Sequence, residues 1–84
     1  MVTIVYFAWV REAIGRDEEQ VERPAPGATI ADLIAMLAAR GGGYAQGLGD
    51  AGRLRAAIDQ HFVPIDTMIG DAREVAIFPP VTGG

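Results

Sequence analysis

"TIADLIAMLAARG", Thr29 to Gly41, carries the clearest helix signals in the chain. Ile30, Leu33, Ile34 and Leu37 recur at i, i+3, i+4 and i+7, one apolar stripe of helical period that must pack on a sheet. Thr29 with Asp32 three residues on has capping-box spacing, and an acid in the first turn also suits the helix dipole. Gly41 is the expected C-terminal stop. Met36 lies off the stripe and is expected at the edge of the core.

Working outward, Val2 to Val10 is a continuous apolar run rich in β-branched and aromatic residues. That pattern predicts a central strand covered on both faces, with Trp9 packed in the core or on the sheet. Arg11 to Gly15 adds a helical turn, and "DEEQVER" (Asp17–Arg23) reads as a short solvated edge strand ending at Pro24. Downstream, Gly41 to Gly52 reads as a glycine-rich loop holding one helical turn around Tyr44 to Leu48. "LRAAIDQHFV" (Leu54–Val63) is a strand bent near Asp59 and Gln60, "PIDTMIGDAR" a turn-bearing connection, and "REVAIF" the final strand.

Strand, strand, helix, strand, strand predicts an α+β fold: a mixed sheet with one main helix packed across one face, the β-grasp. The two most apolar segments, the first and last strands, should then lie side by side and parallel at its centre. Residues 1–78 form the domain in this reading, and residues 79–84 an extended tail.

Composition narrows the chemistry. At 84 residues, half of them apolar and 21% charged, the chain has room for one core. A net charge of −4 argues against nucleic acid and for a basic protein partner. With no Cys, Ser or Lys and one His, it cannot build a Ser-His or Cys-His nucleophile, a Schiff base, a disulfide or a cysteine-based metal site. No bound cofactor and no metal are expected. "MVTIVYFAWV" lacks the features of a signal peptide and is too short to span a bilayer, so the expected location is cytoplasmic, with no membrane partner.

"GLGDAG" (Gly47–Gly52) matches G-x-G-x-x-G but follows a helix and glycines and precedes a strand, the wrong context for a dinucleotide fingerprint, so it reads as a flexible loop. His61 is a lone imidazole and receives no role. Asp59, Asp66, Asp71 and Glu74 lack calcium-loop spacing and read as solvated turns and strand ends.

The chain closes on "IFPPVTGG". Pro79 and Pro80 offer no N–H, so the ladder cannot pass Phe78 and the tail must leave the sheet. Val81 and Thr82 favour extended backbone, and Gly83 and Gly84 have no Cβ. Such an end can pass through a slot as narrow as the main chain, and its unhindered carboxylate can be activated by adenylation and then attacked.

These residues resemble the small-subunit family of molybdopterin synthase, the MoaD-type, ubiquitin-like sulfur carriers. The likeness covers nearly the whole chain: "VTIVYFAWVREAIG", "TIADLIAMLAARGG", "AIDQHFV" and, most specifically, "GDAREVAIFPPVTGG". Asp59 stands where the family usually has asparagine, and "GDAREVA" is one residue longer than the usual turn.

The resemblance implies that the Gly84 carboxylate is adenylated with ATP by a separate activating enzyme and converted to a thiocarboxylate by way of a sulfur donor protein. The tail then enters the large synthase subunit, where sulfur passes to a pterin precursor, cyclic pyranopterin monophosphate, to form the dithiolene. Gly84 is the reacting residue in family terms, Phe78 packs at the partner surface, and Pro79, Pro80, Val81, Thr82 and Gly83 guide the tail. Two heterodimers joined through the large subunit are implied as well. A sulfur carrier for thiamine biosynthesis or tRNA thiolation, a ubiquitin-like protein modifier, and a simple binding module stand as alternatives.

Overall fold

The computed structural model describes residues 1–80; Val81, Thr82, Gly83 and Gly84, the outer part of the expected tail, lie outside the described residues. In chain order the elements are β1 (Val2–Tyr6), α1 (Ala8–Ile14), β2 (Glu18–Val21), α2 (Ile30–Ala38), α3 (Gly42–Leu48), a 3-10 turn (Ala51–Arg53), β3 (Arg55–Ile58), β4 (His61–Val63) and β5 (Glu74–Phe78). The five strands form one mixed sheet in the order β2-β1-β5-β3-β4. β1 and β5 run parallel at its centre, with Ile4 opposite Val75 and Tyr6 opposite Ile77, and every other pairing is antiparallel. This is the β-grasp expected from the sequence.

α2 seals one face. Ile30, Leu33, Ile34 and Leu37 are all buried, and they meet Val2, Ile4, Tyr6, Val75 and Ile77 from the inward side of the two central strands. Each such aliphatic side chain contributes roughly 1.5–3 kcal/mol on burial, so the stripe alone outweighs any propensity term. The capping box forms as its spacing predicts: Asp32 N–H donates to Thr29 Oγ1 (3.1 Å) and Thr29 N–H donates to Asp32 Oδ2 (2.9 Å).

Several expectations need correction. The apolar run from Val2 to Val10 is not one strand: Phe7 is its last extended residue, Ala8 turns with φ of 53°, and the chain enters α1. Val10 is therefore buried from a helix, while Trp9 is 39% exposed and belongs to neither core nor sheet. Nor is β1 covered on both faces. Val2, Ile4 and Tyr6 are buried, whereas Thr3 and Val5 are half-exposed, because the helices all lie on the other side.

The bend at Asp59 and Gln60 is a hairpin turn that divides the expected strand in two. Both residues have positive φ (47° and 72°), the geometry a two-residue loop requires to match strand twist. Finally, residues 42–48 form a full helix. A Cβ on Gly43 would collide with the Ala13 carbonyl oxygen, so glycine is what lets α3 lie against the α1 backbone. "GLGDAG" is consequently part helix and part 3-10 turn, with Gly47 and Leu48 buried, rather than a flexible loop. Met36, expected at the core edge, projects outward at 49% exposure.

Candidate functional site

The face of the sheet away from the helices is built by strand alternation. Thr3, Val5, Glu74, Ala76 and Phe78 point to it from β1 and β5, Ala57 from β3 and Phe62 from β4. Ala57 sits directly opposite Ala76, and this small pair forms a floor between aromatic walls. The Phe78 ring lies 6.4 Å from Phe7 in an edge-on arrangement and 5.5 Å from Phe62. Pro79 and Pro80 close the end of the resulting groove, whose volume is about 570 Å³. A second groove of about 500 Å³ shares Phe62 and Phe78 and runs past Arg55 and Pro64.

Exposure here is unusual for apolar side chains. Phe62 is 80% exposed and Phe7 47%, placing a contiguous aromatic surface in water beside the root of the tail. Among the sequence-predicted site residues, the structure places Phe78 at the centre of this surface and Pro79 and Pro80 at its border. β5 ends at Phe78, where its last pairing is with Arg55, as two consecutive prolines demand. Val81, Thr82, Gly83 and Gly84 lie outside the described residues.

Sequence reasoning singled out neither Phe7 nor Phe62. The available signal for Phe62 was its register: one step along a short hairpin strand it faces away from the core side taken by Val63.

On the helix side, Glu19 gathers a polar cluster that the sequence reading missed. Its Oε2 accepts from the hydroxyls of Tyr6 (2.8 Å) and Tyr44 (2.7 Å), and its Oε1 from Arg40 (3.0 Å) and Arg16 (3.4 Å). The signal was Tyr6 itself, a phenol inside an apolar run that needs a partner for its hydroxyl. Burial raises the Glu19 carboxyl, but hydrogen bonds from Tyr44, Tyr6 and Arg40 outweigh it and hold the group below the usual carboxylate range. Burial first, and then the bond to Glu19, push the Tyr6 phenol well above its ordinary value. The cluster ties β1, β2 and α3 together on the side of the sheet away from the groove.

Asp59 is more than a solvated carboxylate. Its Oδ1 accepts from the backbone N–H groups of Arg73 and Glu74, both at 3.0 Å, and so ties the hairpin to the start of β5. His61 is exposed at this end, with Nδ1 3.0 Å from the Asp59 carbonyl. Among the described residues, no group of three or more His, Cys, Asp or Glu is placed to hold a metal, and no helix is long and apolar enough to cross a membrane.

Comparison with known proteins extends these observations. The model of the ThiS family matches residues 4–84. Over 84 residues, and all of both chains, the protein is 42% identical to the molybdopterin synthase sulfur carrier subunit of Escherichia coli (strain K12). It is 38% identical, again over all of both chains, to the protein of the same name from Haemophilus influenzae. Among solved structures, a putative molybdopterin converting factor subunit 1 from Pyrococcus furiosus superposes with a TM-score of 0.65 at 28% identity, covering 95% of this chain and 97% of that one. SAMP1 from Haloferax volcanii shares the fold, with a TM-score of 0.68 at 24% identity over 99% of this chain and 98% of that one.

Proposed function

The chain belongs to the ThiS family, and from that premise we propose that it is the sulfur-carrying small subunit of a molybdopterin synthase. The observation that carries this reading is the coincidence of two boundaries. The family match runs through Gly84, and the structure turns the backbone out of its sheet at Pro79, beside an exposed aromatic surface.

The working group is the Gly84 carboxylate. An activating enzyme forms its acyl adenylate from ATP, releasing pyrophosphate; a sulfur donor protein then supplies sulfur at the hydrosulfide level, which bonds to the acyl carbon as the bond to AMP breaks, leaving a thiocarboxylate. In the large synthase subunit that sulfur bonds to a carbon of the pterin precursor, cyclic pyranopterin monophosphate, as an oxygen leaving group departs, and water then cleaves the acyl–sulfur bond to return the Gly84 carboxylate. Two such deliveries make the dithiolene.

The chain's own residues bind and present. Phe78, Phe62 and Phe7 offer a partner a desolvatable anchor of the kind that dominates interface energetics. Pro79 and Pro80, which cannot rejoin a ladder, end the sheet just ahead of Val81, Thr82, Gly83 and Gly84. The chain itself binds no cofactor in this reading; ATP belongs to the activating enzyme. The reaction is cytoplasmic, and the assembled synthase is a heterotetramer joined through the large subunit.

The test is ATP–pyrophosphate exchange by the cognate activating enzyme. Exchange dependent on this chain, and abolished when Gly84 is deleted while the circular dichroism of the domain is unchanged, supports the proposal. Exchange that survives the deletion overturns it.

A further inference from the structure

This inference rests on the sulfur-carrier reading and concerns the aromatic face of the sheet. The two grooves there meet along the Phe62–Phe78 pair, which lines both. They are mostly apolar and similar in size, about 570 and 500 Å³. Apolar contact is non-directional, so a partner gripping this ridge through hydrophobic burial alone could sit on it either way round. Something else must fix its orientation.

Each groove carries one charged side chain, and the two have opposite sign. Among the described residues, Glu74 is the only charged group lining the larger groove and Arg55 the only one lining the smaller. Strand register puts both on the outer face: Arg55 lies opposite Phe78, and Glu74 shares the alternation of Ala76 and Phe78. Four steps along β5, at roughly 3.3 Å each, set the two positions about 13 Å apart.

Neither charge is committed within the domain. Arg11, Arg16 and Arg40 each face a carboxylate, whereas Arg55 and Glu74 have no ion-pair partner among the described residues. Arg55 Nη1 donates to the Leu54 carbonyl at 2.9 Å, which leaves most of its guanidinium fork open. Glu74 engages Asp59 through its backbone alone, its N–H donating to Oδ1 and its carbonyl accepting from the Asp59 N–H. Glu18, opposite Val5 on the far edge strand, lines neither groove.

We propose that Arg55 and Glu74 are a polarity key for this face. The large synthase subunit fills both grooves with apolar side chains while setting a carboxylate against Arg55 and a cationic side chain against Glu74. Docked that way, the guanidinium gains a planar acceptor that matches its fork. A partner turned end for end would bury two like-charge contacts, and an all-apolar partner would strip both charges of water with nothing in exchange. The phenylalanines supply the grip, and the two charges select partner and orientation.

The test is titration calorimetry of the full chain with the cognate large subunit, at low and at high salt, for wild type, R55Q, E74Q and the exchanged double variant R55E/E74R. The exchange keeps the net charge, so a general electrostatic attraction would leave its affinity unchanged. At low salt each neutral variant should bind at least about tenfold more weakly than wild type, and the exchanged variant at least about a hundredfold. High salt should narrow both gaps by screening, whereas a loss caused by misfolding would persist and would show in the urea midpoint. If the exchanged chain does not fold, R55Q and E74Q decide. Wild-type affinity in R55Q and E74Q, or in a folded exchanged variant, overturns the proposal and leaves the sulfur-carrier reading intact. Failure of wild type itself to bind the large subunit overturns both.

Discussion

The ring of Phe62, on an edge hairpin, meets the ring of Phe78, at the end of a central strand, with 5.5 Å between centroids. The pair brackets the end of β5, so the exposed aromatic surface and the Pro79–Pro80 root of the tail share one end of the sheet. Phe62 is 80% exposed and supports little of the fold. Phe62→Ala should leave the urea midpoint almost unchanged, within about 0.5 kcal/mol, yet weaken binding to the large subunit at least about tenfold. Titration calorimetry reads the second effect; unchanged affinity would remove the aromatic surface from the account.

Glu19 should behave oppositely, as a stability residue with no direct part in sulfur transfer. Glu19→Gln keeps the shape but loses the charge that two phenols and two guanidinium groups address, at an expected cost of about 2 kcal/mol. Because the folded-state carboxyl lies below its ordinary value, its contribution is fully present above about pH 4.3 and is lost as pH falls through the lowered value. The Tyr6 phenol is raised, so its contribution is present below about pH 10 and is lost as pH climbs beyond that. Urea midpoints across pH should therefore show a plateau with acid and alkaline limbs, and E19Q should flatten the acid one.

At Gly43 the issue is steric. A methyl group there would meet the Ala13 carbonyl oxygen, a backbone atom that cannot swing aside. Gly43→Ala should push α3 off α1 and cost about 1–3 kcal/mol or more, seen as a lower melting temperature. Gly52→Ala, where the nearest atom to an added methyl is Asp50 Oδ1 at 3.5 Å, is the tolerant control.

Asp59 makes a narrower case. Its Oδ1 takes two backbone N–H groups, and an amide oxygen can do the same while tolerating the positive φ of 47°. Asp59→Asn should be nearly neutral in thermal melts and Asp59→Ala should cost about 1–2 kcal/mol. An equal loss for both would mean that the negative charge, rather than the acceptor geometry, secures the hairpin.

Much of the architecture was legible because independent local signals agreed. The α2 stripe, its Thr29–Asp32 cap and the paired prolines each specify one outcome, and all three hold. The failures share a cause. Short apolar runs do not declare their period, so Val10 could serve a strand or a helix until α3 supplied its partner surface. α3 was hidden because its glycines answer to a tertiary contact with Ala13 that no local rule encodes. For the site, the prolines and glycines of the tail were readable as chain chemistry, whereas Phe7 and Phe62 reach Phe78 only through sheet register.

The most direct measurement is intact mass after the chain is incubated with its activating enzyme, ATP and a sulfur donor. The account predicts replacement of one oxygen by one sulfur, located by fragmentation at Gly84, and reversal to the starting mass once the large subunit and the pterin precursor are added. An unchanged mass in the presence of an activating enzyme that demonstrably adenylates this chain would contradict it.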